Sequence, residues 1–232
     1  MYRESLLHGK SPNVHATSNE RSSHMKKIAL ALLAVLLAGC NGSSAISSIS
    51  TSISAVDVST TSQQSPETEG TKADMSKYLW LLDDDHAFLA MTMAQSNKAY
   101  EDGMTAILYY GYAGCDFCER AVPIINEAAK EIGVKVYYID VYEDARTDEE
   151  IDKMLANLDP ALSHEYDEYT GKLEPVMYTP EVVVLHKGTI ISHHTSLVDD
   201  FVLTKASEQM SDTQKQHLKE IYLAMFSLVL ED

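Results

Sequence analysis

The sequence is short of cysteine, of positive charge and of long apolar runs. Its 232 residues hold three cysteines, Cys40, Cys115 and Cys118, too few for a disulfide-stapled scaffold. Eighteen Lys and Arg stand against 35 Asp and Glu, a formal net charge of -17. That balance argues against nucleic acid, whose phosphates demand basic side chains, and suits an exposed soluble domain. The apolar run at 28–38 has eleven residues, too few to cross a bilayer as a finished helix. No internal repeat is present.

The composition is otherwise that of a globular protein, 45% hydrophobic, and the length suits one domain with extensions. Residues 25–40 read "MKKIALALLAVLLAGC": two lysines, an apolar stretch and a small-residue ending. This is the build of a secretory leader. The ending Leu-Ala-Gly-Cys resembles a bacterial lipobox, which makes Cys40 the expected lipidated N-terminus after cleavage. The expected location is therefore extracytoplasmic, on a lipid-anchored protein held by more than one acyl chain. It is the outer face of the cell membrane, or the outer membrane in a Gram-negative envelope, where Asn41 after the cysteine resembles the sorting signal. Residues 1–24 form an upstream extension, with Met25 the favoured start. Removing residues 1–39, with five basic and two acidic side chains, takes the net charge to -20.

Residues 40–75 are dominated by Ser and Thr and read as a tether. The folded domain is expected over 76–232. Residues 83–103 predict a helix, with an acidic start and apolar Phe88, Leu89, Met91 and Ala94 about one turn apart. "TAILYY" (105–110) predicts a buried strand. Val122, Ile125, Ala128, Ala129 and Ile132 form a helical stripe that Gly133 ends. "VKVYYIDV" (134–141) predicts a second strand, so the segment is a right-handed βαβ unit. "TDEE" at 147–150 and "SDTQ" at 211–214 are capping boxes that open two more helices. Residues 181–194 predict a hairpin turning at Lys187-Gly188.

Between the first strand and the helix stands "GYAGCDFCERAVP" (111–123). Cys115 falls at the expected helix N-terminus, where free N–H groups and the dipole favour a thiolate. Cys118 lies on the same turn, placed to attack a mixed disulfide at Cys115. Three other readings remain open on these residues. A zinc site lacks a second Cys-x-x-Cys, and His193-His194 are adjacent where helical ligand spacing is needed. A copper(I) carrier lacks the expected strand order. A structural disulfide closing so small a loop adds little stability.

Cys-x-x-Cys after a strand, Pro123 eight residues past the first cysteine, and Thr179-Pro180 just before a strand together resemble the thioredoxin superfamily. The likeness covers residues 78–231, and within the superfamily the chain is most similar to bacteriocin transport accessory proteins and related lipid-anchored thioredoxin-like proteins. The resemblance implies an α/β fold, a thioredoxin-like three-layer α/β/α sandwich around a mixed sheet of about four strands. It implies a thiol-disulfide oxidoreductase with Cys115 and Cys118 catalytic, no cofactor, and protein or peptide thiols and disulfides as partners. Pro180 would be a cis-proline shaping the substrate groove with Thr179, beside Asp116 and Phe117. A non-catalytic accessory module with a static disulfide is the alternative. Relatives usually carry Trp before the first cysteine and a buried Asp six residues before it; here Gly114 and Tyr109 stand there. The proton acceptor for Cys118 is thus unassigned.

Residues 142–178 are longer than a minimal crossover and include the acidic, tyrosine-bearing "SHEYDEYTGKLEP" (163–175). Two readings stay open: a solvated elaboration, or a docking surface for a cationic peptide beside Pro180.

Overall fold

A computed structural model describes residues 7–8, 70–143 and 145–231. The leader, Cys40 and the expected tether as far as residue 69 lie outside them. In chain order the elements are β1 (Leu7–His8), β2 (Phe88–Ala90), α1 (Met93–Glu101), β3 (Ala106–Gly111), α2 (Asp116–Ile132) and β4 (Val136–Asp140). They continue as α3 (Asp148–Leu158), β5 (Ser163–Asp167), β6 (Lys172–Tyr178), β7 (Glu181–His186), β8 (Thr189–Thr195) and α4 (Asp212–Ser227).

Five strands make the central sheet, in the order β2-β4-β3-β7-β8. β4 runs parallel to both β2 and β3, and β7 and β8 close the sheet antiparallel. β3 lies at the centre and is buried along its whole length, as its apolar and aromatic run requires. Strand period two sends Ile107, Tyr109, Val182 and Val184 into a core shared with α2 and α4. It sends Leu108, Tyr110, Val183 and Leu185 into a second core shared with α1 and α3. The result is a three-layer α/β/α sandwich around a mixed sheet, the architecture expected from the sequence.

Local signals fix the ends of the helices. Thr147 with Glu150 and Ser211 with Gln214 form the reciprocal capping boxes of α3 and α4, each satisfying two otherwise orphaned N–H groups. Gly133, at φ +82°, ends α2 in the left-handed region. Lys187 (φ +50°) and Gly188 (φ +76°) make the β7–β8 turn. There the Gly188 backbone comes so close to α1 that an added Cβ would lie 2.2 Å from the Tyr100 carbonyl oxygen.

Two expectations need correction. Residues 83–103 are not one helix: Phe88–Ala90 is a strand paired with Val136–Tyr138 of β4, and α1 begins only at Met93, capped by Thr92 and Gln95. Backbone pairing at the sheet edge overrides the helical spacing of the apolar residues. Asp83, expected to complement a helix dipole, accepts hydrogen bonds from Lys130 and Asn126 of α2. β2 is therefore a fifth strand beyond the four expected. Within the long 142–178 segment the expected helix is α3, and a β5–β6 hairpin follows it.

Candidate functional site

The β3–α2 junction and the β6–β7 junction meet at the two cysteines. Cys115 is the N-cap of α2, and its sulfur accepts the Cys118 backbone N–H at 3.2 Å. A thiol thus fills the place where Ser or Asp usually satisfies the first-turn donors. The same sulfur lies 3.6 Å from the Thr179 carbonyl oxygen and 3.5 Å from Thr179 Oγ1. The Thr179–Pro180 peptide bond is cis. Of the sequence-predicted site residues, Cys115, Cys118 and Thr179 therefore share hydrogen bonds, and Pro180 is buried directly after them. Asp116 is exposed and Phe117 half-buried at the helix start. Asp116 stands 4.0 Å from the Arg120 guanidinium. Cys40 lies outside the described residues.

Both cysteines are free thiols, and their surroundings drive their ionisation apart. The Cys115 thiol is pushed down, first by its hydrogen bond with the Cys118 side chain and then by Thr179 and the N–H groups of Cys118 and Phe117; burial opposes them. The Cys118 thiol is pushed well up, first by burial and then by Cys115. Ionisation is thus eased at Cys115 and opposed at Cys118. Cys115 is nevertheless only 2% exposed.

Behind the sulfurs the structure has phenols. Tyr109 is fully buried, and its hydroxyl lies 3.1 Å from that of Tyr78. Its ring stacks on Tyr138 with centroids 5.5 Å apart. Gly111 makes this possible: a Cβ there would lie 2.3 Å from the Tyr109 hydroxyl. The Tyr109 phenol is held well above its usual range, first by burial and then by Cys118.

Sequence reasoning missed two charged residues directly after Cys118. Glu119 is buried, and its carboxylate accepts the Gly114 N–H at 3.2 Å and the Leu79 N–H at 2.7 Å. It ties the cysteine loop to the segment before β2. The Arg120 guanidinium donates to the carbonyl oxygens of Asp116, Ala206 and Glu208 and lies 4.8 Å over the Trp80 ring. Burial demands partners for both charges, and those partners lie in loops far along the chain. Among the described residues no group of three His, Cys, Asp or Glu side chains is placed to hold a metal ion.

No family model and no curated protein matches the chain. Among solved structures the chain is similar to oxidised thioredoxin O2 from Arabidopsis thaliana. The two share 15% identity and a TM-score of 0.33, over 59% of this chain and 96% of that one.

Proposed function

We propose that this protein is an extracytoplasmic, membrane-tethered thiol-disulfide oxidoreductase that acts through Cys115 and Cys118 on secreted or envelope proteins and peptides. The observation that carries the reading is the Cys115 sulfur at the N-cap of α2, accepting the Cys118 N–H at 3.2 Å and standing 3.5 Å from Thr179 Oγ1, where ionisation is eased at Cys115 and opposed at Cys118. The leader and the Leu-Ala-Gly-Cys ending support the location, and the acidic surface supports a partner other than nucleic acid.

The chemistry follows from that asymmetry. The Cys115 thiolate attacks one sulfur of a partner disulfide; the S–S bond breaks, a mixed disulfide forms, and the departing thiolate takes a proton from solvent. Cys118 then gives up its proton and attacks the Cys115 sulfur. The intramolecular disulfide closes, the second partner thiolate leaves, and two electrons have passed to the partner. Run backwards, the same steps oxidise a dithiol. Thr179 stands against the Cys115 sulfur and with Pro180 would shape the groove, with Asp116 and Phe117 at its helix-side rim.

A second reading is a non-catalytic thioredoxin-like accessory module, such as a bacteriocin export accessory protein, whose cysteines form a static bridge. The near-complete burial of Cys115 favours it. The reduction potential of the pair in redox buffers, with Cys118→Ser as control, decides between them. A value near about -270 mV makes a reductant, one near about -120 mV makes an oxidant, and one well below about -300 mV makes a static bridge and overturns the enzyme reading. Metabolic acyl labelling that persists in Cys40→Ala would overturn the lipid anchor.

A further inference from the structure

The first turn of α2 is closed by a displaced form of the capping box. In the ordinary form the N-cap side chain accepts the N–H of the third helical residue, whose own side chain reaches back to the N-cap N–H. The first half is present here: Cys115 Sγ accepts the Cys118 N–H at 3.2 Å. The third helical residue is itself a cysteine with no oxygen to return, and the reciprocal half comes from the next position. Glu119 Oε1 accepts the N–H of Gly114, one residue before the N-cap, at 3.2 Å. The Cys115 N–H goes to the Tyr112 carbonyl oxygen at 3.4 Å. The cysteine pair thus lies inside a box whose acid is Glu119.

Gly114 needs that anchor. Its φ is +89° and an added Cβ would meet nothing within 4 Å, so the dihedral alone calls for glycine. An unrestrained glycine visits many other conformations, and leaving φ +89° would carry Cys115 out of its N-cap geometry of φ -76° and ψ 118°. Gly114 is exposed, so without Glu119 its N–H would turn to water. Glu119 itself is only 5% exposed. Burying a carboxylate is costly unless it is hydrogen-bonded, and its second oxygen, Oε2, accepts the Leu79 N–H at 2.7 Å. The carboxylate is therefore held from one segment while it holds another.

We propose that Glu119 is a positioning residue of the redox reaction, which fixes Gly114 so that the Cys115 sulfur returns to the N-cap of α2 each time the pair is reduced. It acts through the Gly114 backbone, and its effect is one-sided. A thiolate is a strong hydrogen-bond acceptor and a disulfide sulfur a weak one, so the held geometry favours the reduced pair over the oxidised. A carboxylate acting only by its charge would do the reverse, because it repels a nearby thiolate. The sign of the effect separates the two.

The inference rests on the redox reading of the pair, and its test keeps the two apart. The full chain is reduced and treated with iodoacetamide across pH, and modification of Cys115 is followed by mass spectrometry. In Glu119→Ala the rate at pH 7 should fall about fivefold, the factor that one N-cap hydrogen bond is worth. In Glu119→Gln, which keeps one accepting oxygen, the fall should be smaller. At equilibrium, glutathione disulfide takes two electrons from the cysteine pair, leaving a Cys115–Cys118 disulfide and two glutathione thiols. Glu119→Ala should shift that balance about fivefold toward the protein disulfide. Alkylation that speeds up in both variants, or that stays at the wild-type rate while stability falls, would overturn the assignment. A measurement without substitutions guards against misfolded variants. In the reduced wild-type chain the amide of exposed Gly114 should exchange with deuterium roughly a hundredfold more slowly than in an unstructured peptide. An unprotected Gly114 amide ends the proposal. If even the wild type fails to react with glutathione disulfide, the redox reading falls instead, while alkylation and amide exchange still decide what Glu119 does.

Discussion

β3 and β8 each carry two identical neighbours, Tyr109-Tyr110 and His193-His194, and each pair is split across the central sheet. Tyr109 faces α2, shares its hydroxyl with Tyr78, and feels the cysteines. Tyr110 faces α1 and α3, with its hydroxyl 3.3 Å from that of Tyr100, and burial pushes its phenol up to about 12. His194 stands edge-on to Tyr222 of α4, with centroids 5.7 Å apart. His193 holds the buried Glu181 carboxylate at 3.3 Å. Residue type decides neither role in these pairs; the face does, because strand period two separates neighbours into different cores. One face is built around two sulfurs and the other is ordinary packing with one buried carboxylate.

Two glycines break this comparison most forcefully. In Gly188→Ala the new Cβ meets the Tyr100 carbonyl oxygen at 2.2 Å in a backbone at φ +76°, so both overlap and dihedral strain apply. A loss of about 3 kcal/mol is expected in urea unfolding. In Gly111→Ala the Cβ meets the Tyr109 side chain, which a ring can partly yield to, and about 2 kcal/mol is expected. Only Gly111→Ala should also change the pH dependence of cysteine alkylation. A reversed order of stabilities, or a thiol effect in Gly188→Ala, would mean that the two faces are not independent.

The same contrast between local and distant causes sets what the sequence discloses. The α2 N-cap at Cys115, the stop at Gly133, both capping boxes and the Lys187-Gly188 turn were legible, since each signal lies within a few residues of its effect. β2 was not. Three residues become a strand through pairing with Val136–Tyr138, nearly fifty positions away, and their apolar spacing also fits a helix. Thr92 and Gln95, the true helix start, were a local signal passed over. β5 and β6 stayed hidden because their outer halves bury little, which leaves no apolar alternation to read. In the site, the cysteine pair and Thr179-Pro180 were readable as motifs. The buried Glu119 and Arg120 were not, because their partners at Leu79, Ala206 and Glu208 come from distant loops.

Removing one hydroxyl from each face gives a finer version of the comparison. Tyr109→Phe and Tyr110→Phe each delete one buried hydrogen bond of a phenol pair, and each should cost about 1 kcal/mol. Their stabilities should therefore match while their chemistry differs. Tyr109→Phe strips a polar group from the surroundings of Cys118, which deepens the desolvation that already holds that thiol up. The higher of the two thiol ionisations should move further up in alkylation-rate profiles, and Tyr110→Phe should leave both in place. Matching profiles for the two variants would remove Tyr109 from the thiol environment.

The histidine pair offers the smallest effect, and it differs in sign between the faces. His193 is raised above its ordinary 6.5, first by its hydrogen bond to Glu181. The folded state then binds more protons than the unfolded, so this contribution is complete below pH 6.5 and is lost as pH rises through the raised value. His194 is lowered, first by burial. The unfolded state then binds more protons, so this side chain favours the fold above pH 6.5 and penalises it as pH falls. The half-exposed His193 ring is screened by solvent, which limits its share to a few tenths of a kcal/mol. Unfolding midpoints measured across that range should show His193→Gln steepening the gain in stability with rising pH, and His194→Gln flattening it. Should both substitutions tilt the curve the same way, the two rings would share one environment, and the split across the sheet would not reach β8.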